Sequence, residues 1–362
     1  MINFVIYSHL PKDFTYNILA NKIKNIIGDK INVIDETDLK HEVLNKETDK
    51  LLLYEPQNHN HLKRLLNLSQ YFLKKNTYIY FYESVFETKA KRHIWKNNEE
   101  LLKKYGTVFS SYKKDLDLIK NIWLPCHHDL YGFSMIDIDY FSYYKKGNDI
   151  KKYTKKRFDI DNSESYENNI ISKNSVENRE FAAVQPITGT VDDYRIKKIE
   201  EISKFIDIDI FGMNHSLKKI KNYKGSINIT KEDGGRQICS NRKARATSQI
   251  KILSNYKFIF VFENECIDGY FSERFIHALY SNSIVIYFGC KNSHLIFPDI
   301  FSNGIINGWN FESMQDLSIF IKDMNNDNIS IRIDKIKKYR DKYAEMLCQN
   351  NIFKKMLVTI FN

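Results

Sequence analysis

Tyr256-Lys257-Phe258-Ile259-Phe260-Val261-Phe262-Glu263-Asn264, followed by Tyr270-Phe271-Ser272-Glu273-Arg274 and then by Ile284-Val285-Ile286-Tyr287-Phe288-Gly289, is the stretch that decides the fold. The first run is nearly all apolar or aromatic and the last begins β-branched, as in parallel strands buried on both faces. Ser272 is placed to cap a helix between them. The stretch therefore predicts a strand, a ligand-facing turn, a helix and a second strand, a βαβ unit of the nucleotide-binding kind. Glu273 and Arg274 fall in the first helical turn, where free backbone N–H groups and the helix dipole favour a diphosphate. Arg274 adds charge, and Glu273 can accept hydrogen bonds from ribose hydroxyls. The same two residues also read as an ordinary first-turn ion pair, since Glu is common there for capping. The local pattern leaves both readings open.

Outward from this unit the same alternation recurs. Phe181 to Val184, Ile206 to Phe211, Lys257 to Phe262 and Ile284 to Phe288 read as strands, with helices over Asp192 to Phe205, Arg242 to Ser254 and Ser272 to Asn282. The first half carries a similar series. Ile2 to Tyr7, Ile31 to Ile34, Lys50 to Tyr54 and Thr77 to Tyr82 read as strands, and Phe14 to Ile27, His61 to Leu73 and Glu87 to Tyr105 as helices. Strand-helix alternation of this kind implies parallel sheets covered by helices on both faces. A polar break from about Lys145 to Asn178, with seven basic residues between Lys145 and Arg157, separates the two series. It reads as a linker or surface insertion, with contact to a membrane surface as its functional alternative. Lys221 to Gln237 reads as a second loop, and Asn328 to Phe361 as basic amphipathic helix. The expected division is 1–150, a polar 151–178, 179–335 and a helical 336–362.

Composition sets outer limits. The 362 residues, 43% hydrophobic and 14% aromatic, suffice for two domains with cores and argue against disorder. A net charge of +10 suits an anionic sugar nucleotide, a phospholipid surface or nucleic acid about equally. Dispersed basic residues without a recognisable module argue against nucleic acid. The five cysteines, Cys126, Cys239, Cys266, Cys290 and Cys348, are scattered without Cys-x-x-Cys spacing, which points to reduced thiols, no zinc and a cytoplasmic location. Met1 to Tyr7 reads as a first strand rather than a signal peptide, and no run approaches the length of a membrane span.

The central stretch resembles the signature of the α1,3-fucosyltransferases, inverting enzymes that use GDP-fucose and form glycosyltransferase family 10. That signature runs Tyr-Lys-Phe, Phe-Glu-Asn and then Tyr-Val/Ile-Thr-Glu-Lys. Phe262-Glu263-Asn264 matches outright, while Phe271, Ser272 and Arg274 are conservative departures. Arg195, after Gly189-Thr190-Val191-Asp192-Asp193-Tyr194, is similar to the family's diphosphate-contacting Arg, although Gln185-Pro186 replaces the usual Ser-Asn upstream. Asp209-Ile210-Phe211-Gly212 and Ile306-Asn307 with Phe311 resemble two further family segments. In the first half, Glu83-Ser84 looks like the turn that carries the family's proposed catalytic base, with Val85 in place of Pro. The run Phe109 to Leu118 and the pair Pro125-Cys126 are similar to segments that follow it.

The resemblance implies a GT-B architecture, two Rossmann-like domains facing a cleft with a C-terminal helix crossing back. It implies transfer of L-fucose from GDP-β-L-fucose, with inversion, to a hydroxyl of an oligosaccharide or glycolipid. The expected link is α1,3 to GlcNAc or Glc in an N-acetyllactosamine-like or lipopolysaccharide glycan. Glu83 would be the catalytic base, and Arg195, Tyr256, Asn264, Tyr270, Ser272, Glu273 and Arg274 would bind the donor. Lys257, His127 and His128 are weaker candidates. No metal is expected to be required, a divalent ion being stimulatory at most, and the Asp-x-Asp pairs at 115/117, 137/139, 159/161 and 207/209 are assigned no metal role. The alternatives are a GT-B enzyme with another nucleotide sugar and a non-catalytic glycan- or nucleic-acid-binding relative.

Overall fold

The computed structural model describes residues 1–8, 20–40, 44–54, 67–80, 105–110, 121–123, 175–187, 193–212, 215–225, 249–264, 266, 268–346 and 349–362. These residues build two six-stranded sheets in which every pairing is parallel. The first sheet has the order β2-β1-β3-β4-β5-β6, from strands β1 (Ile2–Ser8), β2 (Ile31–Asp35), β3 (Lys50–Tyr54), β4 (Thr77–Tyr80), β5 (Thr107–Ser110) and β6 (Asn121–Trp123). Helix α1 (Ala20–Ile27) packs its Ile23 into the core on one face, with Phe4, Ile6 and Leu52. Val5, Leu51 and Leu53 point into a separate cluster with Phe72 and Tyr105. Alternate residues of one strand thus enter different cores, which is why these strands are apolar throughout.

The second sheet has the order β12-β11-β10-β7-β8-β9. Its strands are β7 (Glu180–Ile187), β8 (Asp209–Gly212), β9 (Tyr223–Gly225), β10 (Tyr256–Phe262), β11 (Ile284–Phe288) and β12 (Ile306–Asn307). The helices among them are α2 (Asp193–Ile202), α3 (Glu273–Leu279), α4 (Ser293–Ile296), α5 (Pro298–Asn303) and α6 (Met314–Lys322). From β7 the chain moves outward through β8 and β9, then returns to place β10 on the other side of β7. The strand order reverses between β7 and β10, the position at which doubly wound sheets place their ligands. Ile259 and Val261 of β10 enter a core with Phe271 and Phe275, whereas Phe258, Phe260 and Phe262 enter the opposite one with Ile199 and Leu317.

Helix α7 (Asn326–Met346) covers both cores of the second sheet, with Ile329 and Ile333 in one and Ile336 and Tyr343 in the other. The sequence boundary at 335/336 therefore falls inside an unbroken helix. The crossing comes later, at α8 (Gln349–Phe361), whose Met356, Leu357 and Ile360 join the core of the first sheet. Phe361 meets Phe4 edge-on at 5.1 Å, and the Tyr78 hydroxyl donates to the Ile360 carbonyl at 3.3 Å.

The strands read from the sequence all form, within a residue or two at their described ends except for two: the one expected from Ile206 begins at Asp209, and the one expected to end at Val184 runs on to Ile187. The sequence reading missed β5, β6 and β9, which have four, three and three residues and carry no periodicity of their own. Part of the loop expected over Lys221 to Gln237 is β9, and the helix expected over His61 to Leu73 has ended by Ser69. Most of the break from Lys145 to Asn178, the helix expected over Glu87 to Tyr105 except for Tyr105 itself, Pro125-Cys126 and His127 and His128 lie outside the described residues.

Leu357 is fully buried in the first sheet's core while belonging to the last helix of the chain. Leu357→Ala should destabilise that core by about 2–5 kcal/mol, the usual cost of a truncated core leucine. Urea denaturation followed by tyrosine fluorescence and circular dichroism checks this, and an unchanged midpoint would refute the packing of α8 on the first sheet.

Candidate functional site

β10 ends at Phe262, and Glu263 and Asn264 leave the sheet at its carboxyl edge, beside the reversal in strand order. Glu263 is 0% exposed. Its backbone N–H donates to the Phe288 carbonyl at 2.9 Å, and its backbone carbonyl accepts the Tyr194 hydroxyl. Its Oε1 accepts the Ser272 backbone N–H at 2.8 Å and the Tyr287 hydroxyl at 3.4 Å. One carboxylate thus ties the end of β10 to the start of α3. Gly289 makes the approach possible, because a Cβ there would lie 2.5 Å from Glu263 Cγ and 2.4 Å from the Tyr287 hydroxyl oxygen. Burial, then the Glu263 charge, drives the Tyr287 phenol well above its ordinary range, so it stays a donor.

Ser272 caps α3 as the sequence predicts, its Oγ accepting the Arg274 N–H at 3.3 Å in extended backbone. Glu273 is the first helical residue. The turn before the helix is held by Cys290, whose Sγ accepts the Gly269 N–H at 3.0 Å and donates to Asn292 Oδ1 at 2.7 Å. Burial is the main reason that its thiol is pushed up to about 12 and stays protonated.

Asn264 then joins two cations. Its Oδ1 accepts from Arg195 Nη1 at 2.7 Å and from Arg274 Nη1 at 3.0 Å. Arg195 comes from α2 and is 2% exposed; Arg274 comes from α3 and is 7% exposed. The Arg195 pKa is lowered first by burial and then by the neighbouring Arg274 charge, with Tyr194, Glu263 and Tyr270 acting the other way. A guanidinium stays charged under such shifts. Two forks of N–H donors thus converge on one amide oxygen and bring two positive charges to the same point of the sheet edge. Tyr270 is buried beside them, its carbonyl accepting the Tyr287 hydroxyl at 3.4 Å.

The structure therefore gathers Arg195, Asn264, Tyr270, Ser272 and Arg274, together with the backbone of Glu273, at one edge of the second sheet. It does not bring Tyr256 there. Tyr256 opens β10 at the opposite edge, about 20 Å away at ~3.3 Å per residue. Its hydroxyl donates to Asp209 Oδ2 at 2.8 Å, and burial and that carboxylate raise its pKa. Lys257 is at the same far edge, donating to Asn326 Oδ1 at 3.3 Å. Asp209 also faces Lys224 at 3.3 Å, and Asp207 pairs with Lys221 at 2.9 Å, so these carboxylates are engaged by cations. Among the described residues no three His, Cys, Asp or Glu side chains gather as a metal-binding set. Glu83 lies outside the described residues. Sequence reasoning quoted Glu263 only as part of a motif; the signal for its role is a carboxylate that directly ends an all-apolar strand.

A model of the glycosyltransferase family 10 (fucosyltransferase) C-terminal region matches residues 183–345, a little under half of the chain. The chain carries a glycosyltransferase family 10 domain. That domain runs from β7 into α7 and includes every residue of the arginine cluster. An Arabidopsis thaliana alpha-(1,4)-fucosyltransferase is 35% identical over 78 residues, 22% of this chain and 19% of that protein. A Danio rerio GDP-fucose protein O-fucosyltransferase 3 is 39% identical over 57 residues, 16% of this chain and 12% of that protein. The chain thus matches less than a fifth of the length of either relative. A solved alpha1,3-fucosyltransferase superposes with a TM-score of 0.51 at 14% identity, over 100% of this chain and 90% of that one. A structure described as trehalose-6-phosphate from E. coli bound with UDP-2-fluoro glucose gives 0.50 at 8% identity, over 98% of both. At such identities the likeness is one of fold, and the fold is GT-B.

Two substitutions test this geometry. Glu263→Ala leaves the buried Ser272 N–H without its carboxylate and should destabilise the protein by about 1–3 kcal/mol, whereas Glu263→Gln retains an acceptor and should lose less. Thermal denaturation without nucleotide measures the difference; equal losses would argue against the bond to Ser272. Tyr256→Phe should cost about 1 kcal/mol of stability and leave nucleotide affinity within twofold of wild type by calorimetry. A large loss of affinity would place Tyr256 at the site after all.

Proposed function

We propose that this protein is an inverting fucosyltransferase that transfers L-fucose from GDP-β-L-fucose to a glycan hydroxyl. The observation that carries the reading is Asn264 Oδ1 held between Arg195 and Arg274 at the reversal in strand order of a family 10 domain. Those guanidiniums suit a diphosphate, and their charge has most value as the bond from the anomeric carbon to the β-phosphate oxygen breaks. Glu273, the first residue of α3, is assigned to the ribose hydroxyls, and Tyr270 and Ser272 to the walls and capping of the same turn. The binding role first expected for Tyr256 is not carried forward, since its phenol is engaged at the far edge.

The base is assigned to Glu83, three positions beyond the carboxyl end of β4, on the strength of the Glu83-Ser84 resemblance. Glu83 takes the proton of the acceptor hydroxyl as that oxygen attacks C1 from the face opposite GDP. The new glycosidic bond forms, the bond to phosphate breaks with its electrons on GDP, and the β-linked donor becomes an α-linked fucoside. No step needs a metal, because the guanidiniums supply the positive charge. The acceptor is assigned to the first domain and is an oligosaccharide or glycolipid, with an α1,3 link to GlcNAc or Glc as the working choice. A reducing compartment suits the five unpatterned cysteines, and none of the described helices is long and apolar enough to cross a membrane.

GDP release from GDP-fucose, with and without N-acetyllactosamine and related acceptors, tests the proposal, with GDP-mannose and UDP-sugars as controls. Acceptor-stimulated release from GDP-fucose alone is expected; turnover of another donor instead would overturn the fucosyl assignment. Arg274→Met should lower kcat/KM by about 10²–10³, the usual loss on removing one donor to a developing oxyanion. Glu83→Gln should depress kcat far more than donor affinity, and near-normal turnover would remove it as the base.

A further inference from the structure

Gln185 is the one polar side chain among the six buried residues of β7, and it is 1% exposed. Among the described residues neither its Oε1 nor its Nε2 has a hydrogen-bond partner. A buried primary amide with both ends unmet is disfavoured unless a group beyond the described residues meets it. Its place in the sheet says what. β7 and β10 are the two strands between which the order reverses, and the last paired residues are Val184 and Phe260. Gln185 is therefore one residue nearer the carboxyl edge from which Glu263 and Asn264 emerge.

The ladder is also opened at this point. Val184 pairs with Ile210 and Ile187 with Gly212, so β7 carries one more residue than β8 over the same span. Gln185 and Pro186 are the residues inside that irregularity, and Pro186 has no N–H to give. Bulges of this kind re-aim side chains and recur beside ligand sites.

We propose that Gln185 is a donor-binding residue whose amide pairs with a hydroxyl of the bound nucleotide sugar. The inference rests on the nucleotide-sugar reading of the site. A diphosphate calls only for donors, and Arg195 and Arg274 already supply them. An amide offers a donor and an acceptor side by side and no charge, which matches a hydroxyl, itself a donor and an acceptor. The hydroxyl belongs either to the ribose or to the transferred sugar, and the two are separable by experiment.

Gln185→Met keeps the unbranched shape and removes the amide. Calorimetric titration of wild-type protein and variant with GDP and with GDP-fucose, beside thermal denaturation of both without ligand, decides the matter. The variant is expected to melt at or above the wild-type temperature and to bind GDP-fucose about five- to tenfold more weakly, as for the loss of one neutral hydrogen bond. A loss confined to GDP-fucose assigns the amide to the transferred sugar; an equal loss for GDP assigns it to the ribose. Unchanged affinity for both ligands, or a marked fall in melting temperature with unchanged affinity, overturns the proposal and makes Gln185 a structural residue. If the wild-type protein itself binds GDP but not GDP-fucose, the fucosyl reading of the site falls, whereas the ribose arm still tests Gln185. Failure of the wild type to bind either removes both.

Discussion

Ending β10 in a fully buried carboxylate constrains everything around it. Glu263 has no water to solvate it, so its Oε1 is met from within, by the Ser272 N–H and the Tyr287 hydroxyl. Meeting it from Ser272 fixes where α3 begins. Meeting it from Tyr287 requires the next residue but one to be Gly289, since any side chain there would collide with both groups. The strand, turn, helix and second strand are thus locked by one buried carboxyl group, and breaking that group's contacts costs more than the contacts themselves contribute.

Rigidity at that point has a consequence one residue later. Asn264 has its position set by Glu263, and its single carbonyl oxygen holds Arg195 and Arg274 from two different helices. Two buried guanidiniums so placed concentrate positive charge at one point of the sheet edge, the chemistry that the proposed diphosphate role calls for. Gln185 extends the same logic on the neighbouring strand. Its buried amide, without a hydrogen-bond partner among the described residues, stands near the carboxyl edge where the charged pair is held.

The last two helices show how the two sheets share one chain. α7 spans both faces of the second sheet through Ile329, Ile333, Ile336 and Tyr343, and α8 gives Leu357 and Ile360 to the first. A boundary placed at 335/336 cannot show this. The amphipathic pattern continues through it, and what changes after Met346 is the core that the apolar face meets.

Much of this protein was determined locally and was legible in its residues. Parallel strands buried on both faces write themselves as continuous apolar runs, so β10 and β11 are visible as text, and Ser272 before Glu273-Arg274 marks the start of α3. The run Phe262-Glu263-Asn264 marked the carboxyl end of β10 for the same reason, since its residues are contiguous. Tertiary structure alone decided the rest. Strands of three or four residues such as β6 and β9 exist only because a neighbour offers a ladder. Tyr256 lies in the signature stretch yet faces Asp209 at the far edge, because a strand carries its two ends about 20 Å apart whatever motif they share. Arg195 and Arg274, 79 positions apart in the sequence, meet on one amide oxygen because the strand order reverses beside it.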